Sequence, residues 1–204
     1  MNLAGTAIII NVAFLLCCIP VVTIGPATCG LYSALRYVVQ GKGWFSGFRD
    51  GIKKNFFRNA LVGSVLTIMI AYMAVDFNHA LGFYLDGHGY TPLIIYTVGL
   101  IPLLMVFSAL WPLNVFIPYD SGTDWVKNSL TLLVKAPLQL LLVSALMLLP
   151  VALVLYLPFV GFMLLIVFFG IYYAVVGFGS ILLLKNPLED RLGEYRATHP
   201  EAEE

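Results

Sequence analysis

The sequence predicts an all-α protein, a polytopic transmembrane helical bundle of five to six spans with an amphipathic connector helix on the cytoplasmic side. Three observations predict it. Residues 136–184 contain no Lys, Arg, Asp or Glu, and residues 1–35 and 87–119 are equally free of them. A hydrocarbon core of about 30 Å takes about 20 apolar helical residues to cross, so the longest run fits two crossings and a turn. The chain has 204 residues, 60% of them hydrophobic and 11% charged, with a mean hydropathy of +0.92. Soluble domains carry about 25% charged residues, and a soluble fold of this size has no interior for so much apolar surface. The runs are continuous rather than alternating, which selects helices over a transmembrane barrel. One helical domain over 1–187 is expected, followed by a short polar tail at 188–204.

Charge distribution sets the orientation. Net charge is zero, and the eleven basic residues fall into three windows: Arg36, Lys42, Arg49, Lys53, Lys54 and Arg58; Lys127 and Lys135; Lys185, Arg191 and Arg196. Basic residues near span ends mark the cytoplasmic side, so all three windows, and with them the C-terminus, are placed there. No soluble basic face exists for nucleic acid; the expected partner of most of this surface is the lipid bilayer.

The first apolar run, about residues 3–22, is longer than a signal-peptide core and has neither a basic lead nor an A-x-A cleavage site, so it is read as a retained span. Thr23, Gly25 and Pro26 then form a structural break, with Thr23 a cap candidate and Pro26 near the first helical position. The next piece, about 26–40, is short. The two pieces make either one broken span or a hairpin, so the side of the N-terminus stays open.

Residues 43–58 form the connector. Phe45, Phe48, Ile52 and Phe56 recur at helical spacing, with Arg49, Lys53, Lys54 and Arg58 largely off that face. This is the pattern of an interfacial helix, whose cations contact anionic lipid or a partner protein. Gly43, Gly47 and Gly51 are four apart and cost helix propensity, which close packing on another helix would explain.

Between Asn59 and Val126 there is no basic residue, so the crossings there are even in number. Spans at about 59–85 and 91–118 fit, joined by the turn-rich Asp86-Gly87-His88-Gly89-Tyr90. The same reasoning places spans at 136–156 and 162–184 around a turn near residues 157–161.

Candidate chemistry is sparse. Asp76, Asn78 and His79 are the one polar cluster inside a span, and an intramembrane carboxylate is a functional hypothesis. About 20 residues from the cytoplasmic edge, however, Asp76 reaches the outer interface, where it meets water. Pro102, Pro112, Pro118 and Pro150 kink helices, as transporters use them and as stable bundles tolerate them. Gly170, Ala174, Gly177, Gly179 and Ser180 suit close helix packing. Trp44, Tyr84, Tyr90, Trp125 and Tyr156 suit an interfacial aromatic belt. Cys17, Cys18 and Cys29 read as small hydrophobes, with no metal or disulfide spacing. No catalytic signature is present, so no enzyme, no cofactor and no metal are expected.

The stretch NVAFLLCCIPVVTIGPATCGLYSALRYVVQGKGWFSGFRDGIKKNF resembles the signature of the YesL family (DUF624), above all at CIPVVTIGPAT and FRDGIKKNF. FIPYDSGTDWVKNSLTLLVKAP resembles the family's middle connector. The chain departs from the family in its short lead before the first span and in Pro118-Tyr119-Asp120, where many members carry a basic residue. The resemblance implies a multi-pass protein of the bacterial plasma membrane, encoded among carbohydrate-uptake genes, that serves a sugar ABC transporter as accessory or interaction partner. It brings no catalytic or ligand residues. The coupling-loop pattern of ABC permeases is not found at 119–135. The rival expectation is a small transporter or channel, acting as a homo-oligomer, with a path lined by Asp76, Asn78, Asn114 or Ser144.

Overall fold

The structure is a computed structural model that describes residues 3–117, 122–156 and 168–198. Every regular element among them is helical. The chain runs through α1 (Leu3–Cys18), a 3-10 turn (Val21–Thr23), α2 (Ile24–Val39), α3 (Trp44–Lys53), α4 (Phe56–Leu85), α5 (Thr91–Phe116), α6 (Gly122–Lys135), α7 (Pro137–Tyr156), a π-helical turn (Phe168–Tyr172), α8 (Tyr173–Leu183) and α9 (Lys185–Thr198).

The expected count of five to six spans is corrected. Among the described residues, two helices, α4 and α5, are long and apolar enough to cross a membrane, or three if residues 127–135 and 137–150, bent by 105° at their junction, form one broken span. At 1.5 Å per residue, α4 and α5 run about 45 and 39 Å, whereas α1 and α2 reach about 24 Å each. The expected outer turn at 157–161 lies outside the described residues.

The short α2 is the hub of the fold. Gly25 to Leu35 are buried without interruption, and α2 packs on α1, α3, α4, α5 and α8. Small residues make this possible: a helix surrounded by helices needs backbones to approach closely. A methyl group on Gly25 would lie 2.2 Å from the Asn59 carbonyl oxygen and 2.8 Å from the Trp111 ring. One on Gly63 would meet the Gly25 Cα at 2.8 Å, and one on Gly177 would meet Leu35 at 2.9 Å. The glycines of α3 serve the same purpose, since added methyls at Gly47 and Gly51 would strike Tyr37 and the Cys29 carbonyl. α3 therefore turns Gly47, Phe48 and Gly51 inward against α2, leaving Phe45 63% exposed.

Two cores meet at α2. One joins Ile10 and Phe14 of α1 to Leu31, Leu35 and Phe48. The other surrounds the C-terminal half of α5, where Leu110, Trp111 and Leu113 pack with Trp125, Leu132, Leu140, Leu184 and Leu188. Trp125, expected in an interfacial belt, is fully buried. Its indole N–H donates to the Leu110 carbonyl at 2.7 Å, which satisfies the polar end of a buried ring. The far halves of α4 and α5 are mostly exposed, with Ile68, Tyr72, Ile94 and Val98 facing outward, as lipid-facing helices require.

Local chemistry fixes the joints. Thr23 does not cap α2; its hydroxyl turns back to the carbonyl of Pro20 and to that of Cys17, an acceptor in the last turn of α1. Asn55 takes a left-handed conformation (φ 52°) between α3 and α4, which Asn tolerates better than most residues. Gly87 and Gly89 adopt positive φ in the 86–90 turn. At the π-helical turn, the Ala174 N–H is bonded instead by Asn11 Oδ1 of α1 at 3.1 Å. Pro102 and Pro112 lie inside α5 and Pro150 inside α7, while Pro118 lies outside the described residues.

Candidate functional site

The basic end of the bundle carries the densest polar arrangement among the described residues. α2 ends there, α4 begins there and α5 ends there. A helix C-terminus presents unpaired carbonyls and a partial negative charge, which cations stabilise. Arg36 donates through Nη1 to the Val115 carbonyl at 2.9 Å, and Lys54 through Nζ to the Asn114 carbonyl at 2.9 Å. Arg58 donates through Nη2 to Asn114 Oδ1 at 3.0 Å, and its guanidinium lies 4.9 Å from the Trp125 ring centre.

Beneath these cations lies a buried amide network. Asn114 Nδ2 donates to Asn59 Oδ1 at 3.0 Å and to Cys29 Sγ at 3.2 Å. Asn59 Nδ2 donates to the Lys54 carbonyl at 2.8 Å and to the same sulfur at 3.5 Å. Both amides are almost completely buried. Each uses both N–H groups, so the desolvation cost of an unpaired amide is avoided. Cys29 is thus a shared acceptor as well as a small hydrophobe.

A recess of about 190 Å³ opens beside the network, lined by Cys29, Ser33, Arg36, Tyr37, Asp50, Gly51, Lys54, Asn114 and Val115. Asp50 accepts the Tyr37 hydroxyl at 3.2 Å. Among the described residues, none of Arg36, Lys54 and Arg58 forms an ion pair. Much of Lys54 is open to solvent, but desolvation of its ammonium end, together with the Arg36 and Arg58 charges, holds it below its ordinary 10.5 against an upward pull from Cys29. The folded protein therefore releases this proton more readily than the unfolded chain. Stability gains from Lys54 are expected as pH rises from the lowered value towards 10.5. A Lys54→Gln variant should lose that alkaline gain; unfolding temperatures of both proteins across this window check it.

The residues singled out in the sequence are distributed differently. Of the connector cations, Lys54 and Arg58 enter the site, whereas Arg49 and Lys53 are exposed on α3. Asp76 stands 18 residues after Arg58, about 27 Å along α4. Asn78 and His79 are exposed, and Asn78 donates to the Ala74 carbonyl of its own helix. Neither Asn114 nor Ser144 joins them: Asn114 belongs to the amide network, and Ser144 pairs with Ser108 at 2.9 Å. Gly25 and Pro26 form the buried start of α2, with Gly25 against Asn59, one turn from the network, and half-buried Thr23 ends the turn before it. Sequence reading missed the network because its members are 30, 55 and 85 residues apart. The available signal was the type of residue: an amide inside an apolar helix needs a partner.

These features define an all-α protein with helices long and apolar enough to cross a membrane. Residues 7–77 match the family model described as "Protein of unknown function, DUF624". The match takes in α1 to α3 and most of α4, hence Cys29, Arg36, Lys54, Arg58 and Asn59; Asn114, Trp125 and the second motif noted in the sequence lie outside it. No curated protein and no solved structure matches the chain.

Proposed function

We propose that this chain is a YesL-family protein of the bacterial plasma membrane, and that it acts as an accessory or interaction partner in carbohydrate uptake rather than as a conduit. The supporting observation is how the interior spends its polar groups. Asn59, Asn114, Ser108 and Ser144 bond to one another, and Ser129 and Ser180 bond to carbonyls of their own helices. Asp76, Asn78 and His79 sit apart from all of them. A solute path requires polar groups that converge on water along the bundle; these groups bond within it instead, while Ser64, Thr67 and the Trp111 indole N–H are buried without a partner among the described residues. The exposed side of α3, with Phe45, Arg49 and Lys53 beside the basic end, offers a contact surface for a partner at the membrane face. The clustering of Arg36, Lys54 and Arg58 with the Trp125 region supports a cytoplasmic basic end and a cytoplasmic C-terminus.

A photo-crosslinking residue at Phe45 tests the reading in native membranes. The expected product joins this chain to a membrane subunit of a sugar transporter, and it weakens severalfold when Arg49 and Lys53 are both changed to Glu. Recovery of the chain without any transporter subunit would sink the proposal. Reconstituted sugar or ion flux that Asp76→Asn abolishes would instead establish the rival transporter or channel reading.

A further inference from the structure

We propose that the recess between α2, α3 and the C-terminus of α5 binds a phosphate-type oxyanion, gripped by Arg36 and Lys54 with Arg58 behind them. The inference is independent of the accessory reading, because it concerns what the recess holds rather than what the chain docks to.

Charge accounting is the first argument. Three cations converge on one helix end, and among the described residues none has a carboxylate ion-pair partner. The α5 C-terminus offsets them by about half a charge, and Asp50 on the recess wall by one. A net positive charge remains in a partly desolvated pocket, where an anion is worth more than in open water. Desolvation first, and the Arg36 and Arg58 charges after it, hold the Lys54 ammonium below its ordinary value. Capping one helix needs fewer cations than three.

Donor supply is the second argument. After their carbonyl bonds, Arg36 keeps four N–H groups and Lys54 two. Both line the recess, next to the Ser33 hydroxyl. An Arg fork beside a Lys point charge suits the oxygens of a phosphomonoester. The volume of about 190 Å³ accommodates such a group with some water, at about 30 Å³ per water. The recess lies at the basic end of the bundle, within reach of both a soluble phosphate compound and an anionic lipid headgroup.

Titration calorimetry on the full-length, delipidated chain in neutral detergent tests the site with inorganic phosphate, chloride being varied to hold ionic strength constant. A second arm uses vesicles of phosphatidylcholine with and without phosphatidic acid. Saturable binding of phosphate assigns the site to a soluble phosphate; binding of phosphatidic acid without phosphate binding assigns it to a lipid headgroup. In either case Arg36→Gln and Lys54→Gln should each weaken binding about tenfold, the loss of a charge-assisted hydrogen bond. Asp50→Asn, which removes the carboxylate from the wall and leaves the cations in place, should tighten binding severalfold. Binding no stronger than that of chloride in both arms overturns the proposal, as does undiminished affinity in both glutamine variants. If those variants fail to fold, Asp50→Asn decides alone: unchanged or weaker affinity overturns it.

Discussion

A Gly25→Ala substitution is expected to destabilise the fold by about 3 kcal/mol. The added carbon would sit 2.2 Å from the Asn59 carbonyl oxygen and 2.8 Å from the Trp111 ring. The first obstacle is backbone, which no rotamer change can move. α2 would have to back away from α4, and α2 is the helix against which α1, α3, α5 and α8 all rest. Overpacking a tight core costs about 1–3 kcal/mol and sometimes more; here the upper end is expected, because the collision is with main chain at the hub. Thermal unfolding and the monodisperse fraction in detergent measure it. Gly82→Ala on α4 is the matched control, since nothing lies within 4 Å of its added carbon. It should behave like the parent. Equal tolerance of both changes would show that the α2–α4 crossing is not as close as described.

Asn114→Leu should be the next most damaging change. It keeps the branched side-chain shape, at a larger volume, and deletes both ends of the amide. Arg58 loses its acceptor, and Asn59 Oδ1 and Cys29 Sγ lose a donor. Leaving buried polar groups unpaired costs about 1–3 kcal/mol each, so a total of about 3 kcal/mol is expected. A double change, Asn59→Leu with Asn114→Leu, should cost less than the sum of the singles, since the two amides satisfy one another. Strict additivity in denaturation of the four proteins would show that they do not act as a unit.

The two long helices were the most legible part of the sequence. Their observed limits, Phe56–Leu85 and Thr91–Phe116, fall close to the expected 59–85 and 91–118, because the Asp86–Tyr90 segment is dense in turn residues and its neighbours are long apolar runs. The helix over Gly122–Lys135 was obscured by its own charges. Lys127 and Lys135 mark the segment as a cytoplasmic connector, which leaves its helix unassigned, although Trp125, Ser129 and Leu132 recur at helical spacing on its buried face. The sequence shows α2 to be short for a crossing, but not why. Apolar composition says that a helix avoids water; it does not say whether lipid or protein surrounds it. The glycine spacing 43, 47, 51 pointed towards close packing, and α3 meets α2 at the last two of these positions. The polar network was the least legible feature. Each member looks like an ordinary polar residue near a span end until tertiary structure brings α2, α4 and α5 together.

The bond from the Ala174 amide to Asn11 ties residues 163 positions apart, and this has a consequence for biogenesis. Synthesis proceeds at about 5–20 residues per second, so about ten to thirty seconds separate the emergence of the two groups from the ribosome. Until the later helix arrives, the first one cannot close that contact, however early it enters the bilayer. Insertion and final assembly are therefore separate events in time, and a nascent chain stalled before α8 should leave its first helix open to insertases, chaperones or proteases.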